Sequence, residues 1–215
     1  MPQAIVQPTG ITVFGSALVR AEPDFAVVHV EVTRFDEQPA VALERTREAL
    51  AEVRKAIRAA GIADASVQGS AMSVGARKRN YNDFDITGYA ASVVLRVTVG
   101  DLEAVEQLVV NAVDAGAHGI NGVEYHTARM KELRARARSE AVSAARAKAE
   151  VYATAAGVDV GAVLHIEDIN PDRYAYASHG ADIDLTPPPE NDPSPDSQPG
   201  SLTISAAVMI SYGIA

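Results

Sequence analysis

Near its C-terminal end the chain reads LTISAAVMISY, from Leu202 to Tyr212. Apolar and small polar residues alternate along this stretch, which is typical of a β-strand with one buried face. The preceding residues, 170–200, are rich in proline and aspartate, which indicates a loop. A strand without a neighbour in sequence must pair with strands formed earlier in the chain. We therefore predict one closed domain, residues 1–215, that carries an acidic, flexible loop at 170–200.

Upstream segments supply the rest of that domain. Six further stretches alternate in the same way and are predicted strands: 11–20, 25–34, 67–77, 87–99, 120–127 and 163–169. Three stretches carry apolar stripes of helical period: Pro39 to Gly61, 102–116 and 128–156. The resulting order, β-β-α-β-β-α-β-α-β-β, contains frequent hairpins. It predicts an α+β fold with a mostly antiparallel sheet and three helices.

The longest helix is predicted to bury a face made mostly of alanine, which allows close approach to a sheet or a second helix. Lys148 interrupts this face and is expected to extend its charge toward water or a carboxylate. The predicted buried residues are Met130, Leu133, Ala137, Ala141, Ala144, Val151 and Ala155. Four basic residues project from one side: Lys131, Arg134, Arg138 and Arg146. They are read as a solvated helix face. The alternatives are a nucleic-acid face, although no stacking aromatics accompany them, and a receiver for the acidic loop of this or a neighbouring subunit.

Composition removes several classes of function. The 215 residues include no cysteine, which excludes disulfides, thiolate metal sites and cysteine nucleophiles. The net charge is −9, and every Lys and Arg lies at or before Arg173, which disfavours non-specific nucleic-acid binding. Apolar runs are too short for a membrane helix, and the first residues do not read as an export signal. The chain as written is expected in the cytoplasm, or in the periplasm or outside the cell if a signal was removed.

The five histidines give no metal or catalytic pattern. None is spaced with another at two or four residues, and His29 and His165 read as strand histidines. His118 lies in a glycine-rich turn; an acid or pH-sensing role is open, but no carboxylate partner can be identified, so a solvated turn residue is favoured. His126 and His179 complete the set.

Other candidate motifs fail on context. Gly116, Gly119 and Gly122 follow a helix and precede a strand, opposite to a dinucleotide-binding loop, so they are read as cap and turn residues. Ser16 and Ser70 lie in strands without a nucleophile elbow. The remaining candidates are carboxylates, read as surface groups: Asp83 with Asp85, Glu167 with Asp168, and a weak calcium motif at 80–85. We predict no catalytic, cofactor-binding or metal-binding residue.

An ordered set of short motifs from Gly10 to Tyr212 resembles the SIMPL-domain family, which includes bacterial periplasmic immunogenic proteins and oxidative-stress-associated proteins. The first half of the set is Glu22-Pro23-Asp24-Phe25-Ala26, Ala60-Gly61-Ile62, Val67-Gln68-Gly69-Ser70, Ile86-Thr87-Gly88-Tyr89, Ser92, Leu95, Val97, Val99 and Asp101-Leu102. The second half is Ala115-Gly116-Ala117, Ile120, Gly122, Arg146-Ala147-Lys148-Ala149, Ala153, Ala156-Gly157-Val158, Gly161 and Val163-Leu164.

The resemblance implies an α+β subunit that assembles into ring-like or channel-like homo-oligomers, without a cofactor or agreed catalytic residues. The leading expectation is a non-enzymatic, self-assembling protein with a stress-related role. Exposed sheet edges and the alanine-lined helix are the surfaces expected to contact copies. One alternative is a module that binds a peptide or protein partner at a sheet edge. Another is a hydrolase with an unrecognised site, which requires His118 or a carboxylate pair in a pocket beside a nucleophile.

Overall fold

A computed structural model describes residues 10–78, 86–169 and 201–215. Its α+β character and its antiparallel strand pairing confirm the predicted fold class. The predicted acidic loop at 170–200 lies outside the described residues, as do the carboxylates and calcium motif at 80–85 and His179. In chain order the elements are β1 (Ile11–Ala21), β2 (Phe25–Asp36), α1 (Pro39–Ala59), β3 (Val67–Gly69), β4 (Ser73–Lys78), β5 (Ile86–Val99), α2 (Ala104–Asp114), β6 (Gly119–His126), α3 (Met130–Ala156), β7 (Val160–Ile169) and β8 (Leu202–Ile214).

The chain divides into two compact units. The inner unit is the continuous stretch Pro23–Ala128, and the terminal unit combines residues up to Glu22 with those from Arg129 onward. Each unit has its own sheet and its own cluster of buried apolar side chains. No helix among the described residues combines the length and the apolar character that crossing a bilayer requires.

The inner unit is an antiparallel sheet in the order β3-β5-β2-β6, with β4 also paired to β5. Alternation along β2 sends Val28, Val30 and Val32 into a fully buried layer with residues of α1 and α2. Buried Thr46 ties α1 to the sheet, because its hydroxyl contacts the carbonyl of Ala42 at 2.8 Å and that of Ala91 at 3.0 Å. The opposite face of β2 has no helix in this cluster and carries polar residues.

The predicted strand 67–77 is in fact two strands, β3 and β4, both paired with β5. The chain leaves the ladder at Ser70. The Ser70 hydroxyl accepts a hydrogen bond from the Val94 N–H at 2.9 Å and donates one to the Ala71 carbonyl at 3.1 Å. A side chain thus satisfies backbone groups that a continuous strand would have paired, which alternation alone could not predict.

The terminal unit is a three-stranded antiparallel sheet in the order β1-β8-β7. Strand β8 lies in the middle, pairing with β1 from Ile11–Tyr212 to Ala21–Leu202 and with β7 on its other side. The predicted return of the isolated C-terminal strand to earlier strands is therefore confirmed. Helix α3 packs on β1 and β8 and ends at Gly157, whose left-handed backbone (φ 71°) suits glycine.

The predicted buried face of α3 is correct only in its first half. The buried residues are Leu133, Ala137, Ala141, Ala145, Ala149 and Ala153, whereas Ala144, Val151 and Ala155 are exposed. Lys148 is exposed beside this face rather than within it. The buried positions recur every four residues, so the contact line shifts by about 40° around the helix at each step. The prediction places the buried residues in a stripe parallel to the helix axis. Its residues after Ala141 therefore no longer coincide with the buried ones.

The approach of α3 to β1 is closest at Gly15. A Cβ placed on Gly15 would overlap the Ala141 carbonyl oxygen and would lie 2.6 Å from the Ala145 nitrogen and 2.7 Å from its Cβ. A glycine facing alanines therefore sets the distance between helix and sheet. The core of this unit is thin because of that distance, and added volume has nowhere to go.

Neighbouring alanines on α3 test this packing. We expect Ala145→Leu to lower the free energy of unfolding by about 1–3 kcal/mol, because the extra atoms enter a filled helix–sheet contact. Ala144→Leu is the matched control on the preceding residue, where the side chain is exposed, and should change stability by less than about 0.5 kcal/mol. Urea unfolding of both variants measures the difference. Equal effects would contradict the four-residue contact line.

Candidate functional site

The face of the inner sheet opposite its buried cluster carries a chain of alternating histidine and carboxylate. Glu124 of β6 lies between two histidines, with Oε1 3.3 Å from Nε2 of His29 and Oε2 3.2 Å from Nε2 of His126. The Phe25 ring stacks on His126 with ring centroids 5.4 Å apart. His29 is a strand histidine, as predicted, but the shared carboxylate was not predicted because it comes from another strand.

These three residues do not form a metal centre. Each histidine faces a different oxygen of Glu124, so the nitrogens approach from two sides instead of converging on one point. Across the described ranges, no group of three or more histidine or carboxylate side chains is placed to hold a metal ion. The Nε2 atom of His29 is buried and makes no hydrogen bond within the described residues, so its contact with Glu124 is one of charge when the ring is protonated.

A second polar cluster surrounds Glu31, on the same face of β2. The Thr33 hydroxyl donates a 2.7 Å hydrogen bond to Glu31 Oε1, and the Asn121 side chain also hydrogen-bonds this carboxylate. The ladder between β2 and β6 shifts after His29, which makes Asn121 the extra residue of a β-bulge. These two hydrogen bonds and the nearby His118 charge lower the pKa of Glu31, and burial opposes them only in part.

The structure gives His118 the acidic neighbour that the sequence did not reveal. Its backbone N–H donates to the Glu31 carbonyl oxygen at 2.7 Å, and its ring meets Phe35 edge-on at 5.9 Å. Arg34 braces the same turn by donating to the Gly116 carbonyl at 2.6 Å. The bulge at Asn121 sets the register that places this turn residue beside a distant strand, and the sequence pattern did not reveal it.

The contacts of the Glu31 cluster are suited to a structural role, and we call this cluster the Glu31 brace. Thr33 is 5% exposed and its hydroxyl is directed to Glu31, so it is not presented to a substrate. A lowered pKa keeps Glu31 ionised at neutral pH, which suits an acceptor of hydrogen bonds. The arrangement fixes the turn between α2 and β6 against β2.

The Glu31 brace predicts a specific pH dependence. Because the folded-state pKa lies below the ordinary value of 4.5, ionised Glu31 stabilises the fold above that pH and loses this effect as the pH falls through the folded-state pKa. Glu31→Gln should therefore be less stable than the parent at pH 7, and the gap should close on acidification below 4.5. Thermal unfolding from pH 3 to 7 measures it. Glu48→Gln, on the exposed side of α1, is the control and should show no comparable gap at pH 7.

The other predicted candidates have structural roles. Gly116 follows α2 with a left-handed backbone (φ 98°), as expected for a cap residue. Gly119 lies within β6 instead of in the turn, because the strand starts one residue earlier than predicted. Gly122 lies inside this strand, opposite His29 and beside the bulge. Ser16 lies in β1 as predicted.

Two of the four basic residues on α3 have acidic neighbours in their own chain. Arg138 lies 3.5 Å from Asp168 of β7. Arg146 contacts Glu150 at 2.8 Å and lies over the Tyr212 ring. Lys131 and Arg134 are exposed. The basic side is therefore partly neutralised within the terminal unit, which weakens both a nucleic-acid face and a dedicated receiver for the acidic loop.

Strand β7 is the most unusual surface among the described residues. Ala162 to Asp168 are seven consecutive exposed residues, although they lie in a hydrogen-bonded strand. Three of them are large and apolar: Val163 (49% exposed), Leu164 (56%) and Ile166 (54%). As the outer strand of the three-stranded sheet, β7 pairs with a strand on one side only within residues 10–78, 86–169 and 201–215. Such an edge is suited to accept another strand.

The outer face of α3 is a second exposed surface. Val151 and Tyr152 are 68% and 57% exposed, and a shallow groove is lined by Ala147, Glu150, Val151, Thr154 and Ala155. The alanine-lined face that was expected to contact copies is covered by β1 and β8 of the same chain. That part of the expectation is wrong, because the alanines serve the internal helix–sheet contact.

The fold and these surfaces define an α+β protein with exposed apolar residues on a sheet edge and on the outer face of a helix. The SIMPL family model, described as a protein of unknown function, matches residues 11–212. The chain therefore belongs to the SIMPL family, and the resemblance found in its sequence is confirmed. It is 30% identical over 174 residues to proteins named 26 kDa periplasmic immunogenic protein from Brucella melitensis and from Brucella abortus, covering 78% of this chain and 70% of each relative.

Proposed function

We propose that this SIMPL-family chain is a non-enzymatic protein that assembles with copies of itself through the exposed edge of β7. The observation that carries the proposal is the run of seven exposed residues, Ala162 to Asp168, on an outer strand. Proteins often blunt such edges with lysine, other charged residues or proline; this run contains neither lysine nor proline, and its carboxylates are confined to Glu167 and Asp168. A ring-like or channel-like assembly and a stress-related role remain predictions from the family resemblance.

A sheet edge serves self-assembly in a simple physical way. Pairing satisfies backbone N–H and C=O groups on both strands and buries the apolar side chains that flank them. Loss of water from Val163, Leu164 and Ile166 supplies the drive, and the backbone ladder supplies direction. Thr33 and Glu31 are hydrogen-bonded to each other, and Glu124 lies between two histidines, so these groups make contacts within the fold, which supports a structural role for them.

A binding module for a peptide is the second candidate, because the same edge would accept an extended strand from another protein. The two functions differ in what the purified protein does alone. Self-assembly gives a high mass without any partner, whereas a peptide-binding module stays monomeric until its peptide is added.

We propose the periplasm rather than the cytoplasm as the working compartment. Both relatives carry the word periplasmic in their names, which supports the alternative location over the cytoplasmic expectation. A chain without cysteine is compatible with an oxidising compartment. Osmotic-shock fractionation of the source cells should release the native protein with periplasmic markers; recovery with cytoplasmic markers alone would overturn this location.

Light scattering coupled to size exclusion tests the self-assembly. At micromolar concentration the parent should have a mass well above the 22.6 kDa of one chain. Ile166→Lys should shift the mass toward that of one chain, because a charge on a pairing edge opposes strand addition. The matched control is Val151→Lys, which places the same charge on the outer face of α3 and should leave the mass unchanged.

Two outcomes would count against these ideas in different ways. A parent protein that is monomeric at every concentration would remove self-assembly and leave the peptide-binding alternative. A high mass that survives Ile166→Lys but is lost in Val151→Lys would move the contact from β7 to the outer face of α3.

A further inference from the structure

We propose that β7 pairs with the β7 of a second copy, antiparallel, around a two-fold axis centred on Ile166. The inference rests on the proposed self-assembly and specifies its contact residue by residue. It joins two three-stranded sheets into one sheet of six strands across the molecular boundary. The occupant of the edge is therefore a second copy of this chain.

Geometry limits how β7 can pair with itself. A two-fold axis perpendicular to the sheet keeps each side chain on its own face, and directly opposite residues of an antiparallel pair also share a face. The axis must therefore lie midway between the two copies of one residue, which then faces itself. The β7–β8 register is continuous from His165 to Ile169, with Ile166 opposite Ile210 and Glu167 opposite Met209. The centre is therefore sought among the exposed residues of this regular stretch.

Charge selects one of these centres. An axis at Glu167 or Asp168 places two like carboxylates directly opposite each other, and an axis at His165 faces two histidines. An axis at Ile166 places each His165 opposite the second copy's Glu167, twice per contact. A histidine can donate a hydrogen bond to a facing carboxylate and carries the opposite charge when its ring is protonated, whereas like charges in direct cross-strand positions destabilise a pair. Neither His165 nor Glu167 has an ion-pair partner among the described residues of its own chain.

Packing supports the same centre. Ile210 of β8 is fully buried under α3, and Ile166 lies directly beside it on the same face, one strand further out. Yet Ile166 is 54% exposed, so the buried layer of the terminal unit stops at an open apolar side chain. The two-fold register sets Ile166 against its own copy and continues that layer into the second molecule.

The flanking positions of this register lie where β7 becomes irregular. The β7–β8 register shifts between Val163 and His165, so Leu164 falls outside the regular ladder. Asp168, toward the other end, lies 3.5 Å from Arg138 of its own α3, which partly offsets its charge. The regular part of the proposed contact is therefore the set of pairs made by residues 165–167.

Single cysteines test the register, because the natural chain contains none. Directly opposite residues of an antiparallel pair have Cα atoms about 4.5–5.5 Å apart, which matches disulfide geometry. Ile166→Cys should therefore form a disulfide-linked dimer under mild oxidation, at least about five-fold faster than His165→Cys or Glu167→Cys. Val151→Cys on α3 reports the background of random collision. Non-reducing gel electrophoresis measures each yield.

Every result of this scan decides the proposal. A maximum at residue 166 supports it, and a maximum at residue 165 or 167 overturns the register. Background yields at all three positions in a protein of high mass overturn the β7 contact while self-assembly stands. A parent of monomer mass overturns self-assembly as well, so the two failures are distinguishable.

A charge exchange tests the proposal without cysteine. Glu167→Lys should weaken the dimer about two- to thirty-fold in dissociation constant, because two favourable cross-strand pairs are lost per contact. The double variant His165→Glu with Glu167→Lys should restore the parent affinity, since each introduced glutamate faces an introduced lysine of the second copy. Additive weakening in the double variant would overturn the register. Sedimentation across a concentration series gives the constants.

Discussion

The pairing of β8 with strands on both of its sides is the constraint on which the terminal unit depends. Strand β8 forms a ladder with the full length of β1 and a second, irregular ladder with β7. The Thr12 and Ser211 hydroxyls meet at 2.9 Å across 199 residues of sequence, which illustrates how distant the joined segments are. Without β8, the strands β1 and β7 would not belong to one sheet, and α3 would have no continuous sheet to cover.

The exposed edge of the sheet follows from the way in which α3 packs on it. A glycine on β1 and a line of alanines on α3 bring helix and sheet close together, and the buried cluster is drawn from β1, β8 and α3. A helix held so tightly over two strands leaves the third largely uncovered, so the apolar residues of β7 are exposed as a direct result of efficient packing elsewhere.

The alternation of apolar residues was enough to predict most of the fold. It located β8 and required it to return to earlier strands, and it predicted the strand 25–34, whose Val28, Val30 and Val32 lie in the inner core. It could not predict the later half of the α3 contact, because helical period alone does not show that the helix crosses the strands at an angle. The single domain of residues 1–215 that was expected from this pattern stays a prediction.

The polar clusters were not predictable for a different reason. The contact of His118 with Glu31 depends on the bulge at Asn121, and the sharing of Glu124 by His29 and His126 depends on the register between β2 and β6. Both contacts depend on the exact register between β2 and β6, and a shift of one residue would abolish them. Composition and residue spacing do not reveal that register. The exposure of β7 was equally hidden, since its sequence reads as an ordinary strand until the position of α3 is known.

The order of segments along the chain has a consequence for biosynthesis. All residues of the inner unit are contiguous, so this part can fold on the ribosome as soon as it has emerged. Strand β1 is translated near the beginning but has to wait for the last strand before its backbone groups find their partners. Closure of the terminal sheet is therefore a late, long-range step with a high entropic cost of loop closure. A nascent chain that stalls before residue 202 would leave β1 and β7 without their common neighbour, and such a chain is a natural substrate for chaperones and proteases.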